Sequence, residues 1–284
     1  MSKALAPASP TAPAARAAAL MASLPMYSSN PARVQEFWHA VARRLRQADV
    51  EGAPAGLTWP ASDYLGHWLV PSLLLSQACG YPLVSKLADR VRVVGAFHYG
   101  VDGCDGPLCR SALITRANES SCELADFRGR SVAYNDPDSQ SGYNAMRSLV
   151  APLAVNGVFF GAHLETGSHR KSVEAVRDGL ADIAAVDCVT LAGFGRYTPE
   201  VTQGIRVMDY SNAYPGLPLI TSATTSDATL AALRAALAAA MQDPGLAALR
   251  KDIFLKGFEP LEFSAYRVCT DMRDHAIALG YPVL

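Results

Sequence analysis

The sequence predicts an α/β fold of mainly parallel sheets flanked by helices, with enough chain for two lobes. Two observations carry this. Short apolar or alternating runs of strand character take turns with segments of helical periodicity along most of the chain, the pattern of βαβ units. Of 284 residues, 50% are hydrophobic and 18% charged, so a large interior can be buried.

The elements follow in order. Residues 1–21, beginning MSKALAPASPTAPAARAAAL, are low-complexity Ala/Pro sequence and read as a disordered tail. Lys3 would suit the charged end of a secretion signal. Prolines and Arg16 interrupt any apolar core, however, so a signal peptide is not expected. As written the chain points to the cytoplasm, or to the periplasm if it is exported. ALMASLPMY reads as a first strand ending at Tyr27. Asn30 then serves as cap and Pro31 as first residue of a helix whose stripe is Val34, Phe37, Trp38, Val41 and Leu45.

Strands are expected at GLTW, SLLL, RVRVVGAFHY, SALITR, SVAY, HLET, DIAAVD, GIRVMDY and LPLIT. Helices are expected after SVAY, from about Lys171, and after DIAAVD. From Ser226, Leu230, Leu233, Leu237 and Met241 recur at helical spacing until Pro244 ends the run. A last helix runs from about Ser264 to Leu279, stopped by Gly280 and Pro282. These closing helices are expected to return to the first lobe.

Composition removes several functions. A net charge of -1 gives no electrostatic reason for nucleic acid or an anionic membrane as partner. No apolar run is long enough to span a bilayer. The six cysteines (Cys79, Cys104, Cys109, Cys122, Cys188 and Cys269) read as reduced thiols in the absence of an export signal. Cys104 and Cys109 have no second Cys/His pair at metal-ligand spacing, so no zinc site is expected, and no cofactor is indicated. Neither a Gly-x-Ser-x-Gly elbow nor a Gly-rich Lys loop is present.

Three stretches at strand ends suit an oxyanion, the address where ligands collect in open α/β sheets. In NDPDSQSGYN, Ser139, Ser141 and Gly142 stand where a helix begins, so hydroxyls and backbone N–H groups face one way. A serine there can equally be a simple helix cap. In ETGSHRKS, Ser168 and His169 open the next helix, and the histidine can donate to an oxyanion or sit idle in a turn. Asp187 ends DIAAVD. It can cap the following helix, or it can accept a proton from a ligand that still carries one, which favours phosphate, phosphite or phosphonate over sulfate.

LADFRGRSVAYNDPDSQSGYNAMRSLVAPLA and TGSHRKSVEAVRDGLADIAAVDCVT, with LLLSQACGYPL and GCDGPLCRSALI before them, resemble substrate-binding proteins of phosphate, phosphite and phosphonate ABC transporters. The resemblance runs from about Ala22 to about Thr221. It implies a type 2 periplasmic-binding-protein fold with a two-strand hinge. The lobes would be 22–115 with 216–284, and 116–215, with crossings near Ile114 to Arg116 and near Tyr214 to Leu219. It further implies a non-catalytic receptor for a small phosphorus oxyanion, with an ABC permease as partner. Ser139, Ser141, Gly142, Ser168, His169 and Asp187 would hold the ligand from one lobe, and Tyr27, Gln77 and Tyr99 from the other. The alternative is a cytosolic enzyme on the same scaffold, with His169 and Asp187 as acid/base partners on a small anionic metabolite.

Overall fold

The computed structural model describes residues 19–27, 29–60 and 62–284. Most of the expected Ala/Pro tail therefore lies outside the described residues, and Met21, assigned to it, already opens a strand. The first sheet takes β1 (Met21–Ser23), β2 (Leu73–Gln77) and β3 (Val91–Tyr99), accompanied by α1 (Pro31–Gln47), α2 (Tyr64–Trp68) and α3 (Gly80–Ser85). The chain then passes through β4 (Leu108–Cys109) into a second group. This holds β5 (Ser111–Arg116), β6 (Ser131–Tyr134), α4 (Ala145–Val150), β7 (Ala162–Glu165), α5 (His169–Arg177), β8 (Ile183–Asp187), α6 (Cys188–Tyr197) and β9 (Ile205–Tyr210). It returns by β10 (Tyr214–Pro215) to β11 (Pro218–Ser222), α7 (Asp227–Gln242), α8 (Ala247–Asp252), β12 (Leu255–Glu259) and α9 (Arg267–Ala278).

The two five-stranded sheets run β1-β2-β11-β3-β12 and β7-β6-β8-β5-β9. They are mixed, not mainly parallel. β1 with β2, and β6 with β7 and β8, are parallel. β11, β12, β5 and β9 pair antiparallel with their neighbours, because a chain that leaves a sheet and re-enters from the far lobe arrives in the opposite direction. Between the sheets β4 and β10 pair side by side, Tyr214 opposite Cys109 and Pro215 opposite Leu108. The crossings therefore lie on residues 100–110 and 211–217. Ile114, expected at a crossing, instead sits fully buried inside β5, opposite Ala184 on one side and Val207 on the other.

Local rules explain most elements. Asn30 Oδ1 accepts the N–H of Arg33 at 3.3 Å, Pro31 takes the first position of α1, and Val34, Phe37, Trp38, Val41 and Leu45 are buried. Burying each such large side chain stabilises by roughly 1.5–3 kcal/mol. Along β8, Ile183 and Ala185 face one apolar cluster while Ala184 and Val186 face another, so both sides of that sheet are covered.

Two expected elements differ. GLTW is not a strand: only Thr58 N–H reaches Ala22 of β1, at 2.8 Å, and Pro60 has no N–H with which to extend a ladder. β12 was not foreseen, because Lys256 and Gly257 interrupt its apolar pattern. It survives as an edge strand because Gly95 of β3 leaves room for it: a Cβ at Gly95 would lie 2.3 Å from the Glu259 carbonyl oxygen.

The closing helices part company. α7 packs on α1, β3 and β12 of the first sheet, whereas α9 wedges between α3 and α4, and Ala276, Tyr281 and Leu284 join the apolar cluster of the second sheet. Backbone N–H of Leu284 donates to the Tyr143 hydroxyl at 2.9 Å, and Arg147 donates to the Pro282 carbonyl at 2.8 Å. The expected return of residues 216–284 to the first lobe thus stops at α9, which binds both sides. No described helix is long and apolar enough to cross a membrane.

Candidate functional site

A cleft of about 360 Å³ opens between the two sheets. From the second sheet it is lined by Asn135, Asp136, Asp138, Ser139, Ser141, Gly167, His169, Asp187 and Thr190, and from the first by Met26, Tyr27, Ser62 to Leu65 without a break among the described residues, Trp68, Cys79, Pro82 and Lys86. Lys86 is the one Lys or Arg among these lining residues, and it pairs with Asp138 across the cleft.

β6 delivers its end to the turn that starts the helical segment 140–153. That segment begins with a π-type turn over Gln140–Asn144, wider than an α-turn, before α4 continues it. Ser139 caps it, accepting the Gly142 N–H on Oγ at 3.0 Å. Ser141 Oγ lies 2.9 Å from His169 Nε2 and 3.5 Å from Ser139 Oγ. Gly142 is demanded by its neighbours: a Cβ there would stand 1.8 Å from Asn135 Oδ1 and 3.3 Å from His169 Cε1. Its N–H is engaged by the cap, so Gly142 shapes the cleft wall without lining it.

His169 is the first residue of α5. Burial of its ring lowers its pKa to about 4, so it is neutral at pH 7. Its Nδ1 is buried and has no hydrogen-bond partner among the described residues. The neighbouring Ser168 spends its hydroxyl on capping α5, accepting the Lys171 N–H at 3.2 Å, and does not line the cleft.

Asp187 ends β8, 4% exposed. Oδ1 accepts the Thr190 N–H at 2.8 Å, capping α6, and Oδ2 accepts the Tyr27 hydroxyl at 2.9 Å. Burial, with a smaller push from Cys188, raises its pKa to about 7 against those hydrogen bonds. The cap and the cleft-facing carboxylate are thus one and the same residue.

Gln77 and Tyr99 do not reach the cleft. They line a small hollow of about 20 Å³ behind Tyr27, where Gln77 Nε2 donates to the Tyr99 hydroxyl at 3.0 Å. Tyr99 meets Tyr27 edge-on, ring centroids 4.9 Å apart. Both are buried themselves and satisfy each other there, so they steady Tyr27 and do not line the cleft. Sequence reasoning also missed Asn135. Its Oδ1 is buried without a partner among the described residues, and the only sign of it was its place at the start of the NDPDSQSG turn.

His169 and Asp187 hydrogen-bond to different partners and not to each other, and nothing orients His169 through Nδ1 among the described residues. A nucleophile–base–orienter chain is therefore not assembled around Ser141.

Residues 73–266, well over half of the chain, match the family described as the ABC transporter, phosphonate, periplasmic substrate-binding protein. The chain belongs to this family. The phosphonate-binding family is one of transport receptors, not enzymes, which sets aside the acid/base alternative. Its fold is shared with solved structures. A binding-protein component of an ABC phosphonate transporter from Pseudomonas aeruginosa aligns with a TM-score of 0.71 at 16% identity, over 92% of this chain and 87% of that one. PhnD1 from Prochlorococcus marinus, in complex with methylphosphonate, aligns at 0.70 and 12% identity, over 90% and 97%. A Candida albicans protein with the generic periplasmic-binding-protein fold aligns at 0.59 and 14%, over 92% and 89%. No curated protein matches the chain.

Proposed function

We propose that this protein is the solute receptor of an ABC transporter for a phosphonate, whose phosphorus oxyanion is taken by Ser139, Ser141, His169 and Asp187. The observation that carries the reading is the cleft floor itself. Hydroxyls and a neutral imidazole converge there with a carboxylate, and among the described residues no unpaired Lys or Arg lines the space. Such a floor favours an anion that keeps one acidic proton. Ser139, Ser141 and His169 Nε2 donate to its bare oxygens, and Asp187 accepts from its P–OH. Asn135 Oδ1, buried and unpaired, is a second acceptor at the same wall. Sulfate, fully ionised, has no hydrogen to give Asp187 and meets repulsion there.

The cleft volume of about 360 Å³ lies in the range of roughly 300–1,000 Å³ that suits a small organic ligand, more than a bare phosphorus oxyanion fills. Tyr64, Leu65, Trp68 and Met26 supply an apolar wall for the organic substituent on phosphorus. Family membership supports an ABC permease as the partner that receives the loaded protein.

The test is thermal unfolding and calorimetry with methylphosphonate, 2-aminoethylphosphonate, phosphate, phosphite and sulfate. A ligand at a hundredfold over its Kd stabilises by about 2.7 kcal/mol. Phosphonates should raise the melting temperature and sulfate should not. Indifference to every phosphorus oxyanion would overturn the reading.

A further inference from the structure

Cys104 and Cys109 share one stretch of chain and Cys188 comes from another, yet their Sγ atoms all lie within 4.8 Å of one another. Cys104 Sγ stands 3.2 Å from Cys109 Sγ and 3.4 Å from Cys188 Sγ, and none of the three is bridged. Among the described residues, no other three donor atoms of Cys, His, Asp or Glu converge in this way.

The fold builds the convergence. Cys109 is held in β4 by its pairing with Tyr214 of β10, and Cys188 opens α6. The Cys104 loop is pressed against Cys188 through Gly103, whose φ is +88°. A Cβ there would lie 3.1 Å from the Cys188 Cβ and 2.8 Å from the Tyr210 ring, so only glycine brings the loop this close. Cys109 and Cys188 are buried, while Cys104 is half-buried. A separate hollow of about 370 Å³, lined by Asp102, Cys188 and Tyr210, approaches the cluster from outside the ligand cleft.

We propose that Cys104, Cys109 and Cys188 form a three-thiolate site for a soft monovalent metal ion of the copper(I) class. Thiolate ligands suit Cu(I) and Zn(II) and not the harder Mg(II), Ca(II) and Mn(II). A structural Zn(II) site takes four protein ligands, and among the described residues no fourth Cys, His, Asp or Glu donor joins this triangle. Each sulfur exchanges its proton for the metal, the protons leave to solvent, and copper supplied as Cu(I) undergoes no redox change. The bound ion would tie the first crossing to the head of α6. The sequence hid the site because Cys188 lies far along the chain from the Cys104/Cys109 pair.

The experiment uses the full chain, reduced and free of oxygen, titrated with Cu(I) against a chromophoric Cu(I) chelator. One ion per chain is expected. Cys104→Ser, Cys109→Ser and Cys188→Ser should each weaken binding by more than the roughly 10–100-fold typical of losing a supporting outer-shell group. Cys122→Ser, at an exposed site away from the cluster, should leave it unchanged. Circular dichroism checks folding of each variant, and the half-buried Cys104 carries the test if either buried variant fails to fold. Uptake that survives Cys104→Ser, uptake lost with Cys122→Ser, or tighter stoichiometric binding of Zn(II) would overturn the proposal.

Discussion

Tyr27 donates its phenolic hydrogen to Oδ2 of Asp187 at 2.9 Å, joining a turn that follows the first strand to a carboxylate 160 residues away across the cleft. Tyr99, edge-on to the Tyr27 ring, holds the phenol in place. A hydrogen bond to a charged group contributes about 1.5–3 kcal/mol. Tyr27→Phe removes it and leaves the rings packed. The expected outcome is a lower melting temperature and a methylphosphonate Kd weakened about tenfold, equivalent to ~1.4 kcal/mol. Calorimetry showing unchanged affinity would contradict this.

Asp187→Asn separates the two tasks of this residue. Asn caps helices as well as Asp does, so the bond to Thr190 persists and α6 stays capped. The amide oxygen is a weaker acceptor than a carboxylate, and the charge that repels sulfate is gone. Phosphonate affinity should fall by about tenfold or more, and discrimination against sulfate should narrow, with the melting temperature of the free protein lowered no further than in Tyr27→Phe, since the single amide oxygen keeps the cap and gives up the Tyr27 hydroxyl. A large fall in melting temperature with affinity intact would assign Asp187 to structure alone.

Gly142→Ala drives a methyl group into Asn135 Oδ1, 1.8 Å from where the Cβ must go. Overpacking of this kind costs typically about 1–3 kcal/mol. Since Asn135 and His169 form the wall that must yield, ligand binding should be lost even where the variant folds. Titration of the folded fraction with methylphosphonate checks this.

Acid should weaken the second sheet first. Asp182 is partly buried, which works against its charge. Hydrogen bonds from Arg130, Ser131 and Arg116 outweigh that and hold its carboxyl well below the usual range. Glu119, hydrogen-bonded by Arg130, is lowered to about 2. Both folded values lie below the unfolded ones of ~3.9 and ~4.3, so the unfolded chain binds more protons in between. Their contribution is complete above about pH 5 and disappears as pH falls through the folded values. Urea midpoints should drop steeply between pH 5 and pH 3, and Arg130→Gln should flatten that slope. Equal slopes would refute the assignment.

Much of this was legible in the chain. α1 was readable from Asn30, Pro31 and its stripe, because caps and periodicity are local. That Ser139, Ser141, His169 and Asp187 would meet in one cleft was readable because each sits at a strand end where a helix starts. What was not legible depends on distant partners. Gln77 and Tyr99 have the polar ends of ligand contacts, but they satisfy each other behind Tyr27. Asn135 stands out only once its oxygen is seen to be buried and unpaired. β12 exists because Gly95 yields space to it. Strand direction was misjudged because alternation of elements does not say which lobe a strand has just left.

The seating of α9 bears on how the receptor can move. Rotation about the paired segments β4 and β10 is the simplest way to admit a solute. Yet α9 lies against α3 on one side and α4 on the other, and Leu284 and Pro282 are tethered to Tyr143 and Arg147 behind the cleft. Any gape at the front must stretch or slide that rear tether, so its travel is short. If the protein takes phosphonates as proposed, a short travel leaves a narrow opening, which should select solutes by the size of the organic group on phosphorus at entry as well as in the seat.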